Sequence, residues 1–161
     1  MTPFARLAVL GALVLGALGL NTGAQVLQRY RFCINETTSL PDFGFVIDTE
    51  DHALRVGDLA AFVAPDNRYY PRGAVFAKRV LGVGGDRVTV SGSEVFVSGR
   101  PAGKIKPRDQ QGRPTHPGPI GVIPAGSYFM SAPSADSLDS RYAEIGWIAS
   151  RRIVGKARAV L

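Results

Sequence analysis

Hydrophobic positions in this chain form one continuous block near the start and then many short runs. The block extends from Leu7 to Leu20 and contains no charged residue. After Phe43 the apolar residues occur in short runs that are rich in Val, Ile and Phe and are separated by Gly, Pro, Asn and Asp. Such runs between turn residues are typical of β-strands. The pattern therefore predicts an N-terminal apolar segment followed by a mainly β domain.

The strands predicted in the second part are short and evenly spread along the chain. They are Phe45 to Ile47, Leu59 to Val63, Ala74 to Leu81, Arg87 to Val90, Glu94 to Val97, Gly121 to Ile123, Tyr128 to Ser131, Gly146 to Ala149 and Ile153 to Val160. The turn residues Ser91-Gly92-Ser93 predict a hairpin. The segment Gly99 to Gly118, called the excursion below, carries four Pro and four Gly and predicts a long loop that offers an interaction surface.

The N-terminal apolar block predicts a membrane anchor over residues 1–28, with a β-rich domain over residues 29–161. The block is short for a span of about 20 residues, but Phe4 and the weakly polar stretch Asn21 to Leu27 extend it. A cleaved signal peptide is the alternative, since a basic start, an apolar core and small residues also fit that pattern. Arg6 before the block and Arg29 and Arg31 after it leave the orientation undetermined by charge.

Composition narrows the function classes. A chain of 161 residues fits one domain with a sizeable core. The formal net charge is +6, but the basic residues form no nucleic-acid motif. They gather in the excursion and in the tail from Arg151 onward. For both stretches a solvent-exposed face is the favoured interpretation, and contact with a bilayer surface is the second. No nucleic-acid partner is predicted.

Cysteine and histidine are too scarce for several kinds of chemistry. Cys33 is the single cysteine, which excludes an intramolecular disulfide and a Cys-rich zinc site and favours a small buried hydrophobe. His52 and His116 are the only histidines, which is thin material for a Ser-His-Asp triad. Any serine chemistry therefore needs another base.

A candidate nucleophile lies in the stretch Phe32 to Gly44. Ser39 precedes Pro41, which fixes its own φ, and Gly44, which permits a turn, so the hydroxyl would sit on a stiffened loop. In an extended segment Thr37 points to the same side as Ser39. The alternative is that these polar residues cap and turn a surface loop.

A candidate base lies in the stretch Phe76 to Asp86. If this is a strand, Phe76, Lys78 and Val80 share one face, and apolar neighbours flank the Lys78 ammonium. Desolvation disfavours the charged form and would make Lys78 a usable general base near neutral pH. The alternative is a lysine whose side chain extends from the strand edge into water.

A third polar stretch is Ser137 to Tyr142. Alternation puts Ser137, Asp139 and Arg141 on one side, where Asp139 and Arg141 pair and Ser137 can hydrogen-bond a neighbouring base. Taken alone, the stretch predicts a turn with a surface ion pair worth about 0 to 1 kcal/mol.

Together these motifs resemble the type I signal peptidase family, and most closely its TraF-like branch, the conjugative-transfer signal peptidases. The matching motifs follow one another in order along the chain: Asn35 to Pro41, Arg55 to Asp58, Lys78 to Asp86 and Ser137 to Tyr142. Two places depart from the family pattern: Ser131-Ala132-Pro133 replaces a Gly-Asp-Asn, and Ala143-Glu144 replaces a Phe-Gly.

The resemblance implies a β-rich serine peptidase domain of the signal-peptidase and LexA type, and a role for each motif residue. Ser39 would be the nucleophile, Lys78 the general base and Thr37 the side-chain donor to the oxyanion. Ser137 would orient the lysine. Asp139 and Arg141 would form a supporting ion pair. No metal and no organic cofactor is implied.

The expected function is removal of a signal or tail peptide from a secreted pre-protein, first of all a conjugative pilin, with cyclisation as a further outcome. The domain would face the periplasm from a single-pass anchor in the bacterial inner membrane. The alternatives are a general type I signal peptidase and a non-catalytic scaffold of a secretion apparatus. A LexA-type self-cleaving repressor is disfavoured, because the anchor stands where a DNA-binding domain would be.

Overall fold

The structure, a computed structural model, describes residues 28–34, 40 and 44–160. That part of the chain forms a short 3₁₀ helix at Ser150–Arg152 and eleven β-strands. In chain order the strands are β1 Tyr30–Ile34, β2 Gly44–Asp48, β3 Leu59–Val63, β4 Val75–Val83, β5 Arg87–Ser91, β6 Glu94–Val97, β7 Arg100–Lys104, β8 Gly121–Val122, β9 Ser127–Ser131, β10 Ile148–Ala149 and β11 Ile153–Ala159.

The strands form two antiparallel sheets. The larger sheet has the order β1-β2-β11-β3-β4-β9-β10, and the smaller has the order β7-β6-β5-β8. Strand β3 lies inside the larger sheet, and its side chains alternate between two hydrophobic clusters. Ala60 and Phe62 belong to one cluster, whereas Leu59 and Ala61 belong to the other. Because successive side chains of a strand point to opposite faces, the larger sheet is buried on both faces at β3.

The end of β4 connects the two sheets. A third cluster, which includes Val97, Ile123 and Phe129, fills the space beside it. A Cβ at Gly82 would lie 2.6 Å from a methyl carbon of Val97 and 2.8 Å from one of Ile123. Only glycine permits this close approach of β4 to the small sheet. The register of β4 against β9 shifts between Val80 and Gly82, as a β-bulge requires.

A buried ion pair makes a second connection between the sheets. Nη2 of Arg141 lies 2.8 Å from Oδ2 of Asp139. Asp139 accepts hydrogen bonds from the Ser131 hydroxyl and the Ala132 amide at the end of β9. Arg141 donates from Nη1 to the carbonyl of Lys104 in β7. The pair therefore ties β9 of the large sheet to β7 of the small one.

Every predicted strand overlaps an observed strand, and the predicted hairpin at Ser91-Gly92-Ser93 joins β5 and β6. Two observed strands were not predicted. β1 overlaps the stretch Phe32 to Gly44, which was predicted to form the nucleophile loop. Tyr30, Phe32 and Ile34 do alternate with less apolar residues, as in a strand. β7 lies inside the excursion, so the prediction of a long loop was wrong for Arg100–Lys104. Its sequence Arg-Pro-Ala-Gly-Lys has low strand propensity, and pairing with β6 determines its conformation.

The ion pair of Asp139 and Arg141 was predicted to lie at the surface, and that prediction was wrong. The side chains of Asp139 and Arg141 are only 0% and 2% exposed. The stretch does form turns, but β7 and β9 cover the pair.

Residues 1–27 of the anchor predicted over residues 1–28 lie outside the described part, so the anchor and its boundary stay predictions. Within residues 28–34, 40 and 44–160, no helix is long and apolar enough to cross a membrane.

We predict that Asp139→Ala lowers the free energy of unfolding by about 3 to 5 kcal/mol, because it leaves the Arg141 guanidinium buried without its counter-charge. The matched control is Asp66→Ala, since Asp66 pairs with Arg72 at the surface with exposures of 62% and 87%. That change should cost at most about 1 kcal/mol. Urea unfolding followed by Trp147 fluorescence measures both. Equal losses in the two variants would contradict the role given to the buried pair.

Candidate active site

Lys78 lies in the interior of the large sheet, in β4 between β3 and β9. Its register partner in β3 is Ala60, a small, fully buried residue beside which the lysine stem can lie. The side chain of Lys78 is 5% exposed, and its Nζ lies 5.6 Å from the centroid of the Phe76 ring. Phe76 and Val80 pack in one cluster on that face, as the alternation predicted. A lysine extending into water from a strand edge is thereby excluded.

Aromatic rings cover the apolar side of Lys78. The Phe76 ring packs edge-on against Phe62, with centroids 5.9 Å apart, and against Tyr70, with centroids 4.8 Å apart. Tyr70 comes from the loop before β4. Its role was not predicted, although two adjacent tyrosines in a polar loop are an available signal.

Burial lowers the pKa of Lys78 from 10.5 to about 8. The negative charge of Asp139 acts in the opposite direction, and the positive charge of Arg141 lowers the pKa further. At pH 7 the neutral fraction of the amine rises roughly 300-fold as a result. The amine can therefore accept a proton near neutral pH.

Asp139 does not serve as the hydrogen-bond partner of Lys78, because other donors occupy its oxygens. Oδ1 accepts from the amide and Nε of Arg141, at 3.1 and 2.8 Å. Oδ2 accepts from Nη2 of Arg141 at 2.8 Å, from the Ser131 hydroxyl at 3.0 Å and from the Ala132 amide at 3.2 Å. These five donors exceed the roughly four acceptor sites of a carboxylate. Among the described residues Lys78 forms no ion pair.

Ser137 lines the same cavity as Lys78, which has a volume of about 820 Å³. The residue is 3% exposed, and its hydroxyl has no hydrogen-bond partner in the described part of the chain. Its backbone is held in place, because its carbonyl accepts from Nη2 of Arg141 at 3.3 Å. A fixed backbone with an available hydroxyl suits a residue that orients a neighbouring group.

Ser39 and Thr37 lie outside the described residues. The chain that carries them connects Ile34 to Gly44, and these two residues pair at the end of β1 and β2. Cys33, Ile34 and Phe45 at that end line the cavity of Lys78. Cys33 is half-buried at the edge of a hydrophobic cluster, so it is less enclosed than the sequence suggested.

Leu40, which follows Ser39 in the chain, is described and 5% exposed. It belongs to the cluster of Phe45 and Ile47, and Ala77, which precedes Lys78, packs against that cluster. The sequence neighbours of the predicted nucleophile and base thus share one cluster.

Histidine-based and metal sites have few candidate residues in the described part of the chain. Neither His52 nor His116 lines the cavity of Lys78. Within residues 28–34, 40 and 44–160, no group of His, Cys, Asp and Glu side chains is arranged to hold a metal ion.

Comparisons with known proteins show the family of this chain. A family model described as signal peptidase, peptidase S26, matches residues 6–161. The chain is 33% identical over 131 residues to the probable conjugal transfer protein TraF of Sinorhizobium fredii (strain NBRC 101917 / NGR234), covering 80% of this chain and 67% of that protein. It is 30% identical over 173 aligned positions to the conjugal transfer protein TraF of Agrobacterium fabrum (strain C58 / ATCC 33970), covering 97% and 90%. The chain therefore belongs to the signal peptidase family, peptidase S26, which indicates a serine peptidase, and within that family it is TraF-like.

Proposed function

We propose that this chain is an endopeptidase with a Ser39/Lys78 dyad. The observation that carries the proposal is Lys78 itself, a buried amine without an ion-pair partner among the described residues and with a pKa of about 8. A structural lysine of a scaffold protein would have no need of this environment, since an unpaired buried amine is costly. The cluster shared by Leu40 and Ala77 supports the pairing of the two residues.

The first half of the reaction forms an acyl-enzyme. Neutral Lys78 takes the proton of the Ser39 hydroxyl, and the Ser39 oxygen attacks the carbonyl carbon of the scissile peptide bond. The backbone amide of Ser39 and the hydroxyl of Thr37 donate hydrogen bonds to the oxyanion that develops. The Lys78 ammonium then returns its proton to the departing amine, the C–N bond breaks, and an ester to Ser39 remains.

The second half of the reaction removes the ester. Lys78, neutral again, takes a proton from water, whose oxygen attacks the ester carbonyl. The Lys78 ammonium returns that proton to the Ser39 oxygen as the ester bond breaks, which releases the Ser39 hydroxyl and the carboxylic acid product. Ser137 is proposed to orient the Lys78 amine through its hydroxyl. The Asp139–Arg141 pair is proposed to support the site, since Arg141 donates a hydrogen bond to the Ser137 carbonyl. The reaction as written requires neither a metal nor an organic cofactor.

The substrate is proposed to be a secreted pre-protein, and a conjugative pilin is the first candidate. Both TraF relatives are named as conjugal transfer proteins. Family membership and these relatives suggest association with the membrane or the periplasm. The domain over residues 29–161 would then face the periplasm from an anchor over residues 1–28, without a nucleic-acid partner.

We predict that Ser39→Ala and Lys78→Ala each reduce processing at least about 10³-fold, because each removes a group that acts in every turnover. Cys33→Ser is the matched control, since Cys33 lines the same cavity as Lys78. It and His116→Ala should leave most of the activity. Coexpression with candidate pre-proteins and mass spectrometry of their termini measures processing. A loss in His116→Ala as large as that in Lys78→Ala would rule out the dyad.

We predict that kcat/KM rises with pH through an apparent pKa of about 8, because only the neutral form of Lys78 accepts a proton. Phe76→Asn should admit water beside Nζ and shift this limb upward, towards the free-lysine value of about 10.4. Val75→Ser is the control, since Val75 is 44% exposed in the same strand. The pH–rate profile of a cleaved peptide measures all three proteins. A limb that stays in place in Phe76→Asn would show that burial does not tune the base.

We predict that hydrolysis is the main outcome and that cyclisation occurs only if the bound chain's own amino terminus competes with water for the ester. Effective molarities of about 10⁵ M or more make such competition feasible for a well-placed amine. Intact-mass analysis of the product distinguishes the two, because a ring is lighter by one water than the linear peptide. If the precursors of all small secreted proteins encoded near this gene remained unprocessed, the pilin assignment would be contradicted.

A further inference from the structure

A second, more polar cavity lies beside the cavity of Lys78. Its volume is about 250 Å³, and residues 106–115 of the excursion form much of its wall. Tyr70, Asp136 and Ser137 line both cavities. The second cavity is therefore a side compartment of the proposed active-site cleft, large enough for one or two side chains.

The excursion forms an ordered wall for this compartment. Oδ1 of Asp109 accepts from the amides of Gln111 and Arg113, at 2.8 and 2.9 Å, which closes a tight turn. The amide of Lys106 donates to the Tyr142 hydroxyl at 3.2 Å, and the Thr115 hydroxyl donates to the Lys106 carbonyl. The turn is thus attached to the segment that contains the buried Arg141.

Three acids and three cations line the compartment: Asp109, Asp136 and Glu144, and Lys106, Arg108 and Arg113. Each of its acids already has a cation: Asp109 pairs with Arg113, Asp136 with Lys106 and Glu144 with Arg68.

Arg108 is the lining cation that takes part in none of these ion pairs. Its Nη1 donates to the Gly112 carbonyl at 2.7 Å, and in the described part of the chain no carboxylate pairs with it. A guanidinium has five N–H donors, so Arg108 retains most of its donors for a ligand.

We propose that this compartment is a subsite of the substrate cleft and that Arg108 holds a carboxylate of the substrate there. The inference rests on the proposed function in that the ligand is part of a peptide. The carboxylate is either an Asp or Glu side chain or a free C-terminus, both of which match the fork of the guanidinium. Arg108 is then a specificity-determining residue, outside the group that performs the chemistry.

Binding of fluorescent peptides to the full-length Ser39→Ala chain in detergent tests the proposal without turnover. The peptides are neutral Ala/Ser sequences in which one position is Glu or Gln, and that position is moved stepwise along the peptide. A further pair compares a free C-terminus with an amide, which separates the two sources of the carboxylate. Fluorescence anisotropy gives the dissociation constants.

We expect one carboxylate position that tightens binding about 5-fold, an effect that weakens at high salt. Arg108→Gln should abolish this preference, whereas Arg108→Lys, which keeps the charge, should retain part of it. Arg100→Gln is the matched control, because it removes the same charge from the excursion at an exposed residue that does not line the compartment. It should keep the full preference.

Equal binding of all carboxylate and amide pairs, or no binding of any of them, would overturn the subsite. A preference that survives Arg108→Gln would overturn it as well. Incubation of the same peptides with the unsubstituted protein, which keeps Ser39, tests the peptidase activity separately. A carboxylate preference without cleavage would contradict the peptidase activity and leave the subsite standing.

Discussion

The buried ion pair of Asp139 and Arg141 is the interaction on which the rest of this structure depends. Burying two charges is expensive, and the cost is offset only if their geometry is good and their remaining donors and acceptors are satisfied. Both conditions hold here, because Arg141 binds Asp139 through Nε and Nη2 and donates to carbonyls of Lys104, Ser134 and Ser137. The same bonds attach the small sheet to the large one and fix the turn that carries Ser137.

This pairing also determines the state of Lys78. If the Asp139 carboxylate were available to the amine, an ion pair would favour the ammonium and raise its pKa. Arg141 and the donors at the end of β9 occupy Asp139 instead, so burial outweighs attraction and the pKa falls to about 8. An acid whose acceptor sites are filled and an amine without an ion-pair partner among the described residues thus act on each other in the interior. The arrangement lowers the pKa of the proposed base without removing the charge that stabilises the fold.

How much of this the sequence predicts depends on how local each feature is. The face shared by Phe76, Lys78 and Val80 follows from the two-residue period of a strand, and that prediction was confirmed. The burial of Asp139 and Arg141 could not be predicted, because β7 covers the pair and the sequence of β7 has little strand propensity. A Cβ at Gly103 would lie 2.7 Å from Nη1 of Arg141, so the contact requires a glycine whose partner is distant along the chain. The contribution of Tyr70 likewise depends on a loop meeting β4. The roles of Ser39 and Thr37 rest on the family motif, since both lie outside the described residues.

The central claim is that burial lowers the pKa of the Lys78 amine to about 8, so that a usable fraction is neutral near physiological pH. It can be measured directly by ¹³C NMR titration of the lysine Cε resonances in the full-length chain, with the Lys78 signal identified by its loss in Lys78→Arg. The account predicts a midpoint of about 8 for Lys78, well below the ordinary lysine value of about 10.4. A Lys78 midpoint at the ordinary lysine value would contradict it.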